Sequence, residues 1–94
     1  MDEVYHMSIH VVAKGSDTFT VTVTDERGSK KYRVTVNENS YNRFSIGGES
    51  RESLIERSFE FLLDRESKES ILSSFDITVI SRYFPEYEKM ITRE

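Results

Sequence analysis

The chain has 94 residues, of which 17 are acidic and 13 are basic, and a formal net charge of -4. This length fits one domain, and the negative charge disfavours non-specific attraction to nucleic acid or to anionic lipid. The absence of cysteine excludes disulfides, thiolate nucleophiles and sulfur-ligated zinc. We therefore expect a single domain, 1–94, with no cofactor, whose small core leaves oligomerisation open.

The N-terminus has neither the basic start nor the apolar run of a secretory signal. No apolar stretch approaches the roughly 20 residues that a membrane-spanning helix needs. We expect a cytoplasmic protein that does not enter a membrane.

Residues 5–37 alternate apolar and polar side chains with a period of two, which is typical of strands. The pattern predicts three strands, at about 5–13, 17–25 and 30–37. The links between them are short and each contains a glycine free to take positive φ, so both are predicted to be hairpins. The result is a three-stranded antiparallel meander.

The two faces of this predicted sheet differ in composition. One face is apolar and includes Ile9, Val21 and Val34. The opposite face is rich in threonine and can contact water, as antiparallel sheets often do. Its members are His6, Ser8, His10, Val12, Thr18, Thr20, Thr22, Thr24, Lys31, Arg33 and Thr35.

Periodicity disappears over 37–50, so this segment is predicted to be a loop. It is the longest irregular stretch of the chain. We expect Tyr41, Phe44 and Ile46 to reach the core from it.

A long helix is predicted over about 50–66, with Ser50 as its N-cap. At 100° per residue its apolar side chains cover an arc of about 200°, which is twice what one sheet face can cover. A second structural element, besides the sheet, must therefore cover the apolar arc of this helix. The acidic side chains that repeat every four residues indicate a solvated opposite face, and they are Glu52, Glu56, Glu60 and Asp64.

Apolar residues from 71 to 87 recur at intervals of three and four, which predicts two or three short helices packed on the same sheet face. Asp76 is a candidate cap for one of them. Pro85 fits the first turn of a last helix that ends near Ile91, because proline lacks only a donor that is unpaired there. The predicted fold class is a two-layer α+β domain.

No arrangement of residues in the sequence indicates catalysis or metal binding. His6 and His10 lie about 13 Å apart on a strand, too far to share one metal ion. The glycines at 47 and 48 precede a helix, but Glu49 and Glu52 place negative charge where a phosphate would bind. We predict no catalytic, cofactor or metal residues and no enzyme. An enzyme of unrecognised type would need a pocket that joins His10, a loop tyrosine and acids.

A cluster of basic and aromatic side chains is a candidate surface for a partner or for nucleic acid, and it comprises Lys30, Lys31, Arg33, Tyr41 and Arg43. Such mixtures are typical of proteins that bind single-stranded nucleic acid. The acidic chain and the absence of an RNP signature disfavour this function. Nucleic-acid association is therefore the alternative hypothesis.

Exposed sheet edges favour another function, because an edge strand can accept a strand from a second molecule. The segment 82–87, RYFPEY, concentrates three aromatic side chains, which favours core packing and leaves a partner surface as the alternative. The leading hypothesis is a non-catalytic binding or regulatory protein-interaction module. Its partner is another protein or, in a homodimer, a second copy of the chain.

Several segments in roughly the last 40 residues resemble a family of small conserved hypothetical bacterial proteins. The segments are ERSFEFLLDRE at 56–66, KESIL at 68–72, SFDI within 74–77 and RYFPEY at 82–87. The resemblance implies a shared fold. No activity is known for that family, so it assigns no functional residue.

Overall fold

The computed structural model describes residues 7–93. Its elements in chain order are β1 (Ser8–Ala13), β2 (Thr18–Asp25), β3 (Gly28–Thr35), α1 (Glu38–Phe44), α2 (Arg51–Leu63), β4 (Ser74–Asp76), α3 (Val79–Tyr83) and α4 (Tyr87–Ile91). The α+β class is confirmed. Tyr5 and His6, which the predicted first strand included, lie outside the described residues.

The first three strands form the predicted antiparallel meander, in which β2 lies between β1 and β3. Val21 is paired with Val11 on one side and with Tyr32 on the other, so the apolar residues share one face. Strand β3 begins earlier than predicted because pairing continues to Asp25 and Gly28, which leaves a two-residue turn.

The two sheet faces have the predicted characters. On the apolar face, Phe19, Val21, Val23, Tyr32 and Val34 are buried in the core. On the opposite face, which we call the open face, the threonines of β2 are only half-buried, and Lys31 and Arg33 are exposed. The helices therefore cover the apolar face, and the open face remains at the surface.

The prediction that 37–50 is entirely irregular is wrong, because the segment contains helix α1. The side chain of Asn37 caps this helix by accepting a hydrogen bond from the Ser40 N–H at 2.8 Å. Phe44 is fully buried and holds α1 against the core. The sequence pattern did not predict this helix, because it is only two turns long and is rich in asparagine and serine, which are typical of loops.

Helix α2 begins after Ser50, as predicted, and the Ser50 side chain accepts a hydrogen bond from the Ser53 N–H at 3.0 Å. The helix ends at Leu63, before the predicted end near 66. No helix in the part of the chain that the structure describes is long and apolar enough to span a bilayer.

Two different covers bury the apolar arc of α2. On the sheet side, the ring of Phe59 lies 5.0 Å from the ring of Tyr32. On the other side, the ring of Phe61 lies 5.8 Å from that of Phe84 and 5.2 Å from that of Tyr87. The second cover required by the width of the arc is thus the C-terminal segment.

The C-terminal segment is only partly helical, which corrects the prediction. Strand β4 pairs in parallel with β3 and converts the predicted three-stranded sheet into a mixed sheet of four strands. Asp76 ends this strand and caps no helix; its carboxylate accepts hydrogen bonds from the Thr35 hydroxyl and from Thr78. Pro85 lies in the turn before α4, which ends at Ile91 as predicted.

The half-buried ion pair of Glu49 and Arg57 joins the loop before α2, helix α2 and the end of α4. The Glu49 carboxylate accepts hydrogen bonds from the Ile46 N–H at 3.0 Å, from the Ser53 hydroxyl at 2.8 Å and from Arg57 Nε at 2.9 Å. Arg57 Nη1 also donates to the carbonyl of Ile91 at 2.8 Å. Burial raises the pKa of Glu49, but these hydrogen bonds outweigh burial and hold its pKa below the usual value of 4.5.

We expect Glu49→Gln to lower the free energy of unfolding by about 2 kcal/mol at neutral pH, because Arg57 then loses its charged partner in a partly buried site. A lowered folded pKa contributes stability above pH 4.5, and this stability is lost as the pH falls through the folded pKa. The difference between wild type and variant should therefore shrink below pH 4.5. Urea unfolding at several pH values measures it.

The matched control is Glu56→Gln, because Glu56 is exposed on α2 and makes no ion pair within residues 7–93. We expect this change to alter stability by less than about 0.5 kcal/mol at any pH. An equal loss in both variants would contradict the role assigned to Glu49.

Candidate binding groove beside the sheet edge

The residues predicted as a binding surface do not form one cluster. Lys31 and Arg33 lie on the open face and make no ion pair within the described residues. Lys30 belongs to the opposite face, where its Nζ donates to the carbonyls of Glu69 and Ile71 at 3.3 and 3.2 Å. Adjacent lysines therefore have different surroundings.

The other two predicted residues lie on α1 and are bonded to neighbouring segments. The hydroxyl of Tyr41 donates to the carbonyl of Glu49, and the guanidinium of Arg51 lies 5.3 Å from the Tyr41 ring. Arg43 forms an ion pair with Glu88 of α4 at 2.7 Å. These contacts hold α1 in place.

The residues considered for chemistry are also separated. His10 is exposed on the open face, and His6 lies outside the described residues. Gly47 and Gly48 adopt positive φ values of 60° and 72°. However, the Ile46 N–H in this loop donates its hydrogen bond to the Glu49 carboxylate and is not available to a phosphate. No group of acids and histidines within residues 7–93 is arranged to hold a metal ion. The absence of enzymatic activity stays a prediction.

An apolar groove of about 250 Å³ lies between α3 and the chain around β4. Leu72 is 49% exposed and Tyr83 is 65% exposed, although both side chains are large and apolar or aromatic. Exposed apolar side chains that line one concave surface are typical of interaction sites. The principal lining residues are Ile71, Leu72, Phe75, Val79, Tyr83 and Phe84.

The groove adjoins an unpaired edge of the sheet. In a parallel pair, alternate residues of a strand direct their N–H and C=O groups to the neighbour. Phe75 is in register with β3, and the Ile77 N–H donates to the carbonyl of Thr35 at 3.0 Å. The N–H and C=O groups of Ser74 and Asp76 therefore point away from β3, and no backbone partner for them is found within the described residues.

Among residues 7–93, Glu66 is the one charged residue that lines the groove. Glu66 is half-buried, and its carboxylate makes no hydrogen bond or ion pair within residues 7–93. It also lines a neighbouring depression near the turn between β2 and β3. The groove is thus apolar along its length and negative where Glu66 lies.

Sequence reasoning missed the groove because it missed β4. The available signal was the aromatic segment 82–87, for which a core role and a surface role were both open. The structure divides that segment: Tyr87 is fully buried, Phe84 is half-buried and Tyr83 is exposed. The exposed member faces the groove.

No family model, curated protein or solved structure matches this chain. The resemblance of the C-terminal segments to hypothetical bacterial proteins therefore stays a prediction. Any function must be inferred from the groove, the strand edge and the open face.

Hydrogen exchange tests the unpaired edge of β4. We expect the amides of Ser74 and Asp76 to exchange at least about tenfold faster than those of Arg33 and Ile77, whose N–H groups donate to backbone carbonyls across the β3–β4 pair. Amide exchange followed by NMR measures these rates residue by residue. Equal protection of all four amides would show that the edge is covered.

Proposed function

We propose that the protein is a non-catalytic interaction module that binds an extended segment of another protein. The observation that carries this proposal is the apolar groove, with Leu72 and Tyr83 exposed, directly beside the unpaired edge of β4. The groove and the edge offer the two kinds of contact that an added strand needs.

The strand edge supplies the backbone contacts. An incoming segment laid along β4 pairs with the outward N–H and C=O groups of Ser74 and Asp76. Side chains of a strand alternate between the two faces of a sheet. Every second side chain of the bound segment then points to the helix-covered face, on which Phe75 and the groove lie.

The size of the groove favours a short peptide over a small-molecule ligand. Its volume of about 250 Å³ is below the roughly 300–1,000 Å³ of typical small-molecule sites. A few apolar side chains fill such a space. Because β4 has only three residues, the contact is small and we expect a transient complex.

A photo-activated cross-linking amino acid at position 72 tests the proposal in lysate of the protein's own cells. We expect a specific cross-linked protein, with the cross-linked segment identified by mass spectrometry and lost when Tyr83→Ser is added. A cross-link between two copies of this chain would instead identify a homodimer.

The matched control is the same cross-linker at position 12, because Val12 is also an exposed apolar residue, 39% exposed, but lies on the open face. The same partner captured equally from positions 12 and 72, or none captured from position 72, would contradict binding in the groove.

Nucleic-acid association through the open face is the second candidate. Lys31 and Arg33 are two residues apart on β3, so both point to this face, and both are exposed. Asp76 is the one acidic residue at a register position on this face within residues 7–93, so the two basic residues outnumber it. The face is therefore locally positive on an acidic chain, which favours contact with phosphates.

This candidate predicts binding to short single-stranded oligonucleotides that weakens as salt rises. We expect the double change Lys31→Glu and Arg33→Glu to abolish it, as measured by fluorescence anisotropy. Lys89→Glu serves as the control, because Lys89 is exposed on α4, away from the open face, and makes no ion pair within residues 7–93. Unchanged affinity in the double variant would remove nucleic acid from consideration.

A further inference from the structure

Building on the proposed function, we propose that the bound segment is an extended peptide with apolar side chains at alternate positions and a lysine or arginine that pairs with Glu66. The groove therefore selects its partner by charge as well as by shape. The charge of the surface around Glu66 supports this inference.

Glu66 is placed to meet a charge on the ligand. It lines the groove together with Leu72 and Tyr83, and no basic residue from the described part of the chain lines the groove beside it. Its side chain is half-buried at the start of the irregular segment after α2 and has no internal partner within the described residues. A ligand that covers this carboxylate with apolar groups would remove it from water without compensation, which is unfavourable.

The depression that continues from Glu66 carries further negative charge. Its lining includes four acidic residues, Asp25, Glu26, Glu66 and Glu69, and two basic residues, Arg27 and Lys68.

Lys68 does not neutralise Glu66. Its ammonium group is engaged by Asp25 at 3.0 Å and by Glu69 at 2.8 Å. The side chain of Lys68 is only 5% exposed, so it is closed off from a ligand. The exposed Arg27 makes no ion pair within the described residues, but the four acids of the lining outnumber its two bases. A basic residue of the ligand therefore enters a field that is negative in sum.

The exposure of the ion pair between Glu66 and the basic residue of the peptide determines how much the pair contributes to affinity. Glu66 is half-buried, and a lysine bound beside it stays in contact with water. Ion pairs in such settings change affinity modestly, and we expect the loss of this pair to weaken binding about fivefold. The apolar contacts supply most of the affinity, and the charge supplies preference among peptides.

Selection from a displayed library of random short peptides against the purified protein tests the inference without knowledge of the partner. We expect enriched sequences with alternating apolar residues and a lysine or arginine at one end. Synthetic copies of two enriched peptides are then titrated by fluorescence anisotropy against wild type, Glu66→Gln, Leu72→Asp and the exposed-acid control Glu56→Gln.

We expect Leu72→Asp to abolish binding, Glu66→Gln to weaken it about fivefold and Glu56→Gln to leave it unchanged. The Glu66→Lys variant should not bind the basic peptides, but it should bind copies in which the basic residue is replaced by glutamate. This restored binding also shows that the Glu66→Lys variant is folded.

Two results overturn the inference in different ways. Enriched peptides without an excess of basic residues, or equal effects of Glu66→Gln and Glu56→Gln, would refute the charge preference and leave the groove as a peptide site. If no enriched peptide loses its binding when Leu72→Asp is introduced, the peptide-binding function is refuted as well.

Discussion

Helix α2 carries apolar side chains around a wide part of its circumference and must be covered from two sides. The sheet covers the side of Phe59, and the C-terminal segment covers the side of Phe61. Because α3 and α4 have only five residues each, they do not close the second side completely. The groove beside Leu62 of α2 is the part that they leave open. The candidate site thus follows from the way in which α2 is buried.

The parts of the fold that the sequence predicts are those with a long and regular pattern. Apolar and polar residues alternate through three strands over about thirty residues. A slip of the strand register by one position would expose Val21 and Val34 to water. Strand β4 has three residues, which is too short for any period to be recognised. The spacing of Ile71 and Phe75 fits a helix equally well. What fixes it as a strand is the free edge of β3, which cannot be seen in the local sequence.

The candidate site was less predictable than the fold, because its residues converge only after the chain has folded. Lys30 and Lys31 are neighbours in sequence but lie on opposite faces of the sheet. Tyr41 and Arg43 carry the chemistry expected of a binding surface, yet both are held by contacts to Glu49 and Glu88. In contrast, Leu72, Tyr83 and Glu66 come from separate segments, and no motif joins them.

A crystal structure of the protein with a groove-selected peptide is the most direct test of the binding mode. We predict a fifth strand in the sheet, hydrogen-bonded to the backbone of Ser74 and Asp76, with alternate side chains in contact with Leu72 and Tyr83. A peptide bound as a helix, or bound on the open face away from β4, would contradict the strand-addition mechanism.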